Sequence, residues 1–205
     1  MLTRWIKTPV APGSTGMSGR AGVRARWSRL RSAITAAALA TGLTALASLP
    51  VPATAGETRQ ARQVAYVTNQ DDNTVSAIDV ASNTTIATIP VGILPAGVAA
   101  SPGGTRVYVT NLGSDTVSVI NTATNGVIAV IPVGADPFDV AVSPGGTRAY
   151  VTNSGDNTVS VIDTAANNVI ATIPVGTVPI GVAVTPGGTR AYVANQGTDN
   201  VTVIN

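Results

Sequence analysis

The chain has 205 residues, twelve Lys and Arg against ten Asp and Glu, and a formal net charge of +2; it contains no His and no Cys. Those absences exclude Ser-His-Asp triads, cysteine nucleophiles, His/Cys zinc sites, c-type haem attachment and disulfides. The net charge also hides a division along the chain. Residues 1–55 hold Arg4, Lys7, Arg20, Arg24, Arg26, Arg29 and Arg31 and no acid, whereas residues 56–205 hold five arginines and all ten acids, a net charge of −5, with no Lys, Trp or Met. The two parts call for separate readings.

The basic stretch Arg20–Arg31 is followed by an uncharged run, Ala33–Leu49, then by Pro50, Pro52 and the small-x-small pattern Ala53-Thr54-Ala55. This order of n-region, h-region and cleavage site reads as a bacterial-type secretory signal peptide over 1–55, cut after Ala55. Met17 is an alternative start within the long n-region. The competing reading is an uncleaved anchor, but the run is shorter than the about 20 residues a spanning helix needs and is rich in Ala and Thr. No Arg-Arg pair marks the twin-arginine route, and no Cys follows the run to take a lipid. The expected mature chain is extracellular, acidic and free of a membrane span, with a short polar linker over 56–63.

Everything after the linker is one repeat. Tyr66-Val67-Thr68-Asn69 returns as Tyr108-Val109-Thr110-Asn111, Tyr150-Val151-Thr152-Asn153 and Tyr192-Val193-Ala194-Asn195, at a spacing of 42 residues. Units 108–149 and 150–191 agree at 30 of 42 positions without a gap. With 64–107 and a partial 192–205 they make up the repeat region 64–205. In the third unit and across its seam the strand-like runs are Thr158–Asp163, Val169–Val175, Ile180–Val184 and Arg190–Asn195. Val, Ile, Thr and Tyr dominate them. Pro-Gly-Gly at 102–104, 144–146 and 186–188, and Gly/Asp/Asn clusters at 70–73, 112–115, 154–157 and 196–200, are turn signals. Four short strands per 40–45 residues is the period of a β-propeller blade. Blades pack face to face, so both faces of each sheet are buried. Strict apolar/polar alternation should blur into continuous runs such as Thr158–Ile162, with charge confined to turns. The fold class is therefore all-β, a propeller of four-stranded blades.

Here the chain resembles the YVTN family of β-propeller repeat proteins, the YncE-like secreted propellers. The matching residues are the Tyr-Val-Thr-Asn runs, Asn73-Thr74-Val75-Ser76, Thr88–Gly92 and Ser101–Gly104. The resemblance covers residues 64–205 and speaks to fold more than to activity. More distantly the chain is similar to the propellers of lactonases and of nitrous-oxide and haem-d nitrite reductases.

Naming the strands of a blade A to D outward from the channel, residues 64–91 supply B, C and D, two full sets follow, and 180–205 supply A, B and C. That makes fourteen strands, about three and a half blades, where closed propellers have roughly four to eight. Three readings stand open: a piece of a longer propeller, two chains completing one ring, or a tolerated open arc. Self-association through the open blade edges is accordingly an expected mode of partnership. Joining a terminal A-B-C set to an initial B-C-D set, however, duplicates B and C.

Residues recurring in every unit are read as architectural. Tyr66, Tyr108, Tyr150 and Tyr192 should pack between blades with the hydroxyl at a polar edge. Asn69, Asn111, Asn153 and Asn195 end strand B and suit turn hydrogen bonds. Arg106, Arg148 and Arg190 follow the Gly-Gly turn and should pair with turn acids or carbonyls. A ring of arginines facing an anion is the sharper alternative, on the edge opposite the usual channel-mouth site. The turn acids Asp71, Asp72, Asp115, Asp156 and Asp199 could hold Ca²⁺, but no loop has EF-hand spacing; solvated turns and no metal are expected. The clearest break in the repeat is Asp136-Pro137-Phe138-Asp139, where the other units have Leu94-Pro95-Ala96-Gly97 and Val178-Pro179-Ile180-Gly181. It enters strand A, so Asp136, Phe138 and Asp139 are the ligand-binding candidates. Their plain alternative is a gap-filling Phe and turn-capping acids.

Two functions follow. One is a secreted non-catalytic scaffold, without a cofactor, recognising a small ligand, glycan or protein. The other is a lactonase-like hydrolase using Asp carboxylates and a divalent cation. Copper and haem redox sites need histidine, which is lacking. Nucleic acid is excluded as a partner by the acidic, lysine-free repeat region.

Overall fold

A computed structural model of the chain describes residues 46–48 and 62–205, and every regular element among them is a β-strand. The first sheet contains β1 (Leu46–Ser48), β2 (Gln63–Asn69), β3 (Thr74–Asp79) and β4 (Thr84–Pro90). The second contains β5 (Pro95–Ala100), β6 (Arg106–Asn111), β7 (Thr116–Asn121) and β8 (Gly126–Pro132). The third contains β9 (Pro137–Val142), β10 (Arg148–Asn153), β11 (Thr158–Asp163) and β12 (Asn168–Pro174). The fourth has β13 (Pro179–Val184), β14 (Ala191–Asn195) and β15 (Asn200–Ile204). Within each sheet every strand pairs antiparallel with its chain neighbour. The fourteen strands expected from the repeat are β2 to β15.

The inner strands β5, β9 and β13 pack side by side, while the outer strands β4, β8 and β12 touch less closely. Sheets that converge at one strand and splay at the other form the propeller-like arrangement of four blades, left open between the first and the last.

The strand β1 is an addition. It pairs with β2 through Leu46↔Ala65, Ala47↔Val64 and Ser48↔Gln63, filling the A position that the repeats leave empty. It lies inside the stretch read as a leader, so cleavage after Ala55 would leave a three-stranded first sheet. The remainder of that stretch, and the linker up to residue 61, lie outside the described residues.

Three seams between sheets hold the apolar core, and each is the last one shifted by the repeat. Tyr66, Val75, Ala77 and Ile89 meet Val107, Val109 and Ile120. Tyr108, Val117, Val119 and Ile131 meet Ala149, Val151 and Ile162. Tyr150, Val159 and Val161 meet Ala191 and Val193. Full burial of a side chain of this size is worth about 1.5–3 kcal/mol, so the seams provide the main cohesion. Since each inner sheet is covered on both sides, β6 and β10 show unbroken runs of buried residues instead of alternation.

Tyr66, Tyr108 and Tyr150 lie in these seams, whereas Tyr192, expected to pack between blades like them, is exposed because no sheet covers that face among the described residues. The buried Tyr66 donates its hydroxyl to Asn125 Oδ1 at 3.0 Å, in the β7–β8 turn of the next sheet. One unit on, Arg106 reaches the corresponding turn, donating to the Thr164 carbonyl and, at 3.5 Å, to Asn167 Oδ1. The Tyr108 hydroxyl is then buried with no hydrogen-bond partner. The first unit has Val64 where the second has Arg106, which explains why Tyr66 keeps the bond that Tyr108 lacks.

Where β2 begins, Arg62 Nε donates to the carboxylate of Asp79, which also accepts from Ser82 N at 2.8 Å and Ser82 Oγ at 3.0 Å. The Arg62 hydrogen bond first, then those from Ser82, hold the Asp79 pKa at about 2. A carboxylate depressed in the folded state contributes its stability fully above its ordinary value near 3.8 and loses it as pH falls through about 2. Asp79→Asn should therefore flatten the acid limb of the stability curve, as measured by urea unfolding between about pH 2 and 5.

Candidate functional site

The connections fall on two edges of the sheets. On one, the B–C turns dock against the linkers that carry the chain into the next sheet. Gly113 N donates to Ile93 O, Gly155 N to Ala135 O and Gly197 N to Thr177 O. On the other, the A–B and C–D turns meet, with Thr122 N donating to Thr105 O and Thr164 N to Thr147 O. Arg106, Arg148 and Arg190 follow the A–B turns on this second edge, and Arg148 and Arg190 are exposed. The first edge carries Asp71, Asp72, Asp115, Asp136, Asp156 and Asp199. The candidates of the sequence reading thus sit on an acidic rim opposite the arginines.

Local conformation sets this rim. Each unit places a left-handed residue in the B–C turn (Asn73, Asp115, Asn157, Asp199), another in the C–D turn (Asn83, Asn125, Asn167) and a third in the linker (Leu94, Asp136, Val178). Asn and Asp tolerate that region; a β-branched Val178 does so at a cost. The turn residue then secures the linker residue 21 positions on. Leu94 N donates to Asn73 Oδ1 at 2.8 Å, Asp136 N to Asp115 Oδ1 at 3.0 Å and Val178 N to Asn157 Oδ1 at 2.9 Å. Asp156 Oδ2 accepts from Ala135 N at 2.6 Å. Asp115 and Asp156 therefore do more than cap solvated turns: they tie down the linkers. The signal was the recurring Asn/Asp 21 residues before each linker, which sequence reasoning missed.

The strand-B asparagines hold the same edge together from inside. Asn111 Nδ2 donates to Thr116 Oγ1 at 3.1 Å and Ser118 Oγ at 2.9 Å, and its Oδ1 accepts from Gly92 N at 3.1 Å. Asn69, Asn153 and Asn195 repeat the two donated bonds. The threonines before them reach sideways. Thr68 donates to Ala96 O at 3.0 Å, and Thr110 to Phe138 O at 2.9 Å, each in the next sheet.

The break in the repeat becomes intelligible against this background. Asp136 is left-handed, and its carbonyl accepts from both Ser154 N and Ser154 Oγ. Phe138 is half-buried and presents its carbonyl to Thr110. Asp139 spans the seam: Oδ1 accepts from Val140 N at 2.8 Å and Oδ2 from Val182 N of the next sheet at 3.0 Å. In the preceding seam the equivalent residue is Gly97, where a Cβ would lie 2.8 Å from Phe138 O and 2.9 Å from the Asp139 Cα. A side chain is sterically refused at 97 and used as a clasp at 139. The Asp136 and Asp139 carboxyls serve different neighbours, Asp139 facing β13 and Asp136 lying by the Gly155 turn. Among the described residues, no group of three or more His, Cys, Asp or Glu is placed to hold a metal ion.

Burial raises the Asp139 pKa above 3.8, against the lowering effect of its two backbone donors. A carboxyl raised in the folded state is least costly when protonated, so its contribution to stability is greatest below 3.8 and declines as pH rises toward its folded value. Asp139→Asn should remove that decline. Asp139→Ala should cost about 1–3 kcal/mol, because Val182 N–H loses its acceptor. Chemical denaturation of both variants at acid and neutral pH separates the two effects.

Comparison with known proteins bears on the fold. No family model and no curated protein matches the chain. Among solved structures it is similar to hydrazine synthase from Kuenenia stuttgartiensis, at 27% identity and a TM-score of 0.65, over 80% of this chain. The match is a propeller-like fold. The chain spans about half the length of that structure, 47% of it. In all, 1057 solved chains match, so the likeness describes an architecture and not one activity.

Proposed function

We propose that the chain is a secreted, non-catalytic propeller scaffold of the YVTN type, which presents the rim of B–C turns and linkers to a small ligand, glycan or protein. One observation carries this reading. The residue that breaks the repeat, Asp139, has both carboxylate oxygens taken by backbone N–H groups in a seam between sheets. A general base needs its carboxylate within reach of a substrate proton, and this one is bound to the frame. The repeated Tyr, Thr and Asn residues serve packing and turn hydrogen bonds in the same way.

The second reading, a lactonase-like hydrolase, rests on the same segment. Assay of the purified protein on a panel of lactones decides between them. The scaffold reading expects no turnover above the uncatalysed rate with or without added Ca²⁺. Hydrolysis that a chelator abolishes, and that Asp139→Ala removes while the protein stays folded, would establish the hydrolase instead. Secretion is checked separately by sequencing the N-terminus of exported protein, expected at Gly56.

A further inference from the structure

Two departures from the repeat meet at one peptide bond. Asp136 stands where the other linkers have Leu94 and Val178, and Ser154 stands where the other B–C turns have Gln70, Leu112 and Gln196. Asp136 precedes Pro137, so the single Asp-Pro bond of the chain is the entry to β9. The Asp136 carbonyl accepts from Ser154 N at 3.0 Å and from Ser154 Oγ at 2.8 Å. Ser154 is buried, with 5% exposure. The equivalent carbonyls of Leu94 and Val178 accept from Leu112 N and Gln196 N at 3.0 Å, and neither of those residues carries a hydroxyl.

An Asp-Pro bond carries its own nucleophile. The Asp carboxylate reaches the carbonyl carbon of the same residue by closing a five-membered ring, an intramolecular attack that needs no second molecule to be brought in. The proline nitrogen leaves as a secondary amine once it takes up a proton. Negative charge builds on the carbonyl oxygen as the carboxylate adds. Donors already aimed at that oxygen bind it more strongly as the charge grows, as in an oxyanion hole. The residue is also held at φ 51°, in the left-handed region that is costly outside glycine. The linker around it is fixed by two neighbouring carboxylates: Asp115 Oδ1 accepts from Asp136 N at 3.0 Å and Asp156 Oδ2 from Ala135 N at 2.6 Å.

We propose that the bond between Asp136 and Pro137 is a self-cleaving site, cut by the Asp136 carboxylate with Ser154 N–H and Oγ–H as the donors to its oxyanion. One carboxylate oxygen bonds to the Asp136 carbonyl carbon, and the tetrahedral oxyanion collapses with breakage of the C–N bond. The Pro137 nitrogen takes a proton from solvent and leaves as an amine. Residue 136 is then a cyclic anhydride, which one water opens to a C-terminal Asp136 with both carboxyls free. Water is the one co-reactant. The Leu94-Pro95 and Val178-Pro179 bonds share the backbone conformation but have no carboxyl, so they stay intact. The cut falls between the second and third sheets, whose buried seam of Tyr108, Val117, Val151 and Ile162 keeps the two pieces together. This is a reaction of the chain on itself, independent of the scaffold reading.

Incubation of the purified full chain tests this, read by mass and N-terminal sequencing under denaturing conditions. The expected products are two pieces, one ending at Asp136 and one beginning at Pro137, whose masses sum to that of the intact chain plus one water. The folded chain should be cut at least about tenfold faster than the same chain in urea at the same pH, because unfolding keeps the carboxylate and loses the Ser154 donors. One oxyanion donor is worth about 10²–10³ in rate, so Ser154→Ala should slow cleavage at least about tenfold while the protein stays folded. Asp136→Leu should abolish it; leucine is the residue that the preceding linker holds in the same left-handed conformation. A folded chain that stays intact, equal rates in the folded and unfolded chains, cleavage that survives Asp136→Leu, or Ser154→Ala cut as fast as the parent would each overturn the proposal.

Discussion

Tyr108→Ala should lower the unfolding free energy by about 3–5 kcal/mol, while Tyr108→Phe should leave it unchanged or raise it. The ring lies wholly buried in the seam between the second and third sheets, beside Val117, Val119, Val151 and Ile162. Truncation leaves a cavity flanked by two sheets whose backbones are fixed by their own ladders, so the site cannot collapse. The hydroxyl makes no hydrogen bond. Its desolvation is uncompensated, and removing it loses nothing. Tyr66 is the internal control, because its hydroxyl does bond to Asn125. Tyr66→Phe should cost about 0.5–1.5 kcal/mol. Urea unfolding of the three variants gives the comparison. If Tyr108→Phe proves as costly as Tyr66→Phe, the assignment of Asn167 to Arg106 is wrong.

Asn111→Ala should cost about 2–4 kcal/mol, because one deletion disturbs several buried polar groups together. The side chain donates to Thr116 and Ser118 and accepts from Gly92 N. Ser118 is buried, and the Gly92 amide belongs to the linker from the first sheet to the second. Loss of the amide group thus loosens a turn and an inter-sheet connection at once. A side chain at Gly92 cannot compensate, since its Cβ would lie 2.7 Å from the Cβ of residue 111, which alanine keeps. Asn69→Ala should cost less, since Asn69 is only half-buried and makes the two donated bonds. Denaturant midpoints and proteolysis of the 92–94 linker report the two consequences separately.

Much of the architecture was legible before any coordinates. The 42-residue period, the Pro-Gly-Gly turns and the β-branched runs located β2 to β15, mostly to within a residue or two. A repeat of near-identical units must bury its faces against its own copies, so period and composition together imply stacked sheets. The Tyr and Asn positions were visible as a period, but identical residues do not all do the same work: Tyr66 bonds to Asn125, the Tyr108 hydroxyl has no partner and Tyr192 is exposed. The site was less legible. Asp136-Pro137-Phe138-Asp139 stood out as a break, but whether its acids face a ligand or the frame depends on which backbone N–H groups lie across the seam. Val182 N, which takes Asp139 Oδ2, is 43 residues away. The capping of each linker by the Asn or Asp 21 residues earlier was missed because a turn acid reads the same whether solvated or bonded.

What the sequence alone determined was the unit: four short strands, the turns between them, and the face each residue type occupies, all consequences of local backbone preference and burial repeated at a constant spacing. What only the tertiary structure decided was the relation between units. It showed that Arg106 displaces Tyr108 from its turn, and that a glycine is required at 97 and an aspartate accommodated at 139. These depend on distances of a few ångströms between residues remote in the chain, which a repeat pattern, being the same in every unit, does not encode.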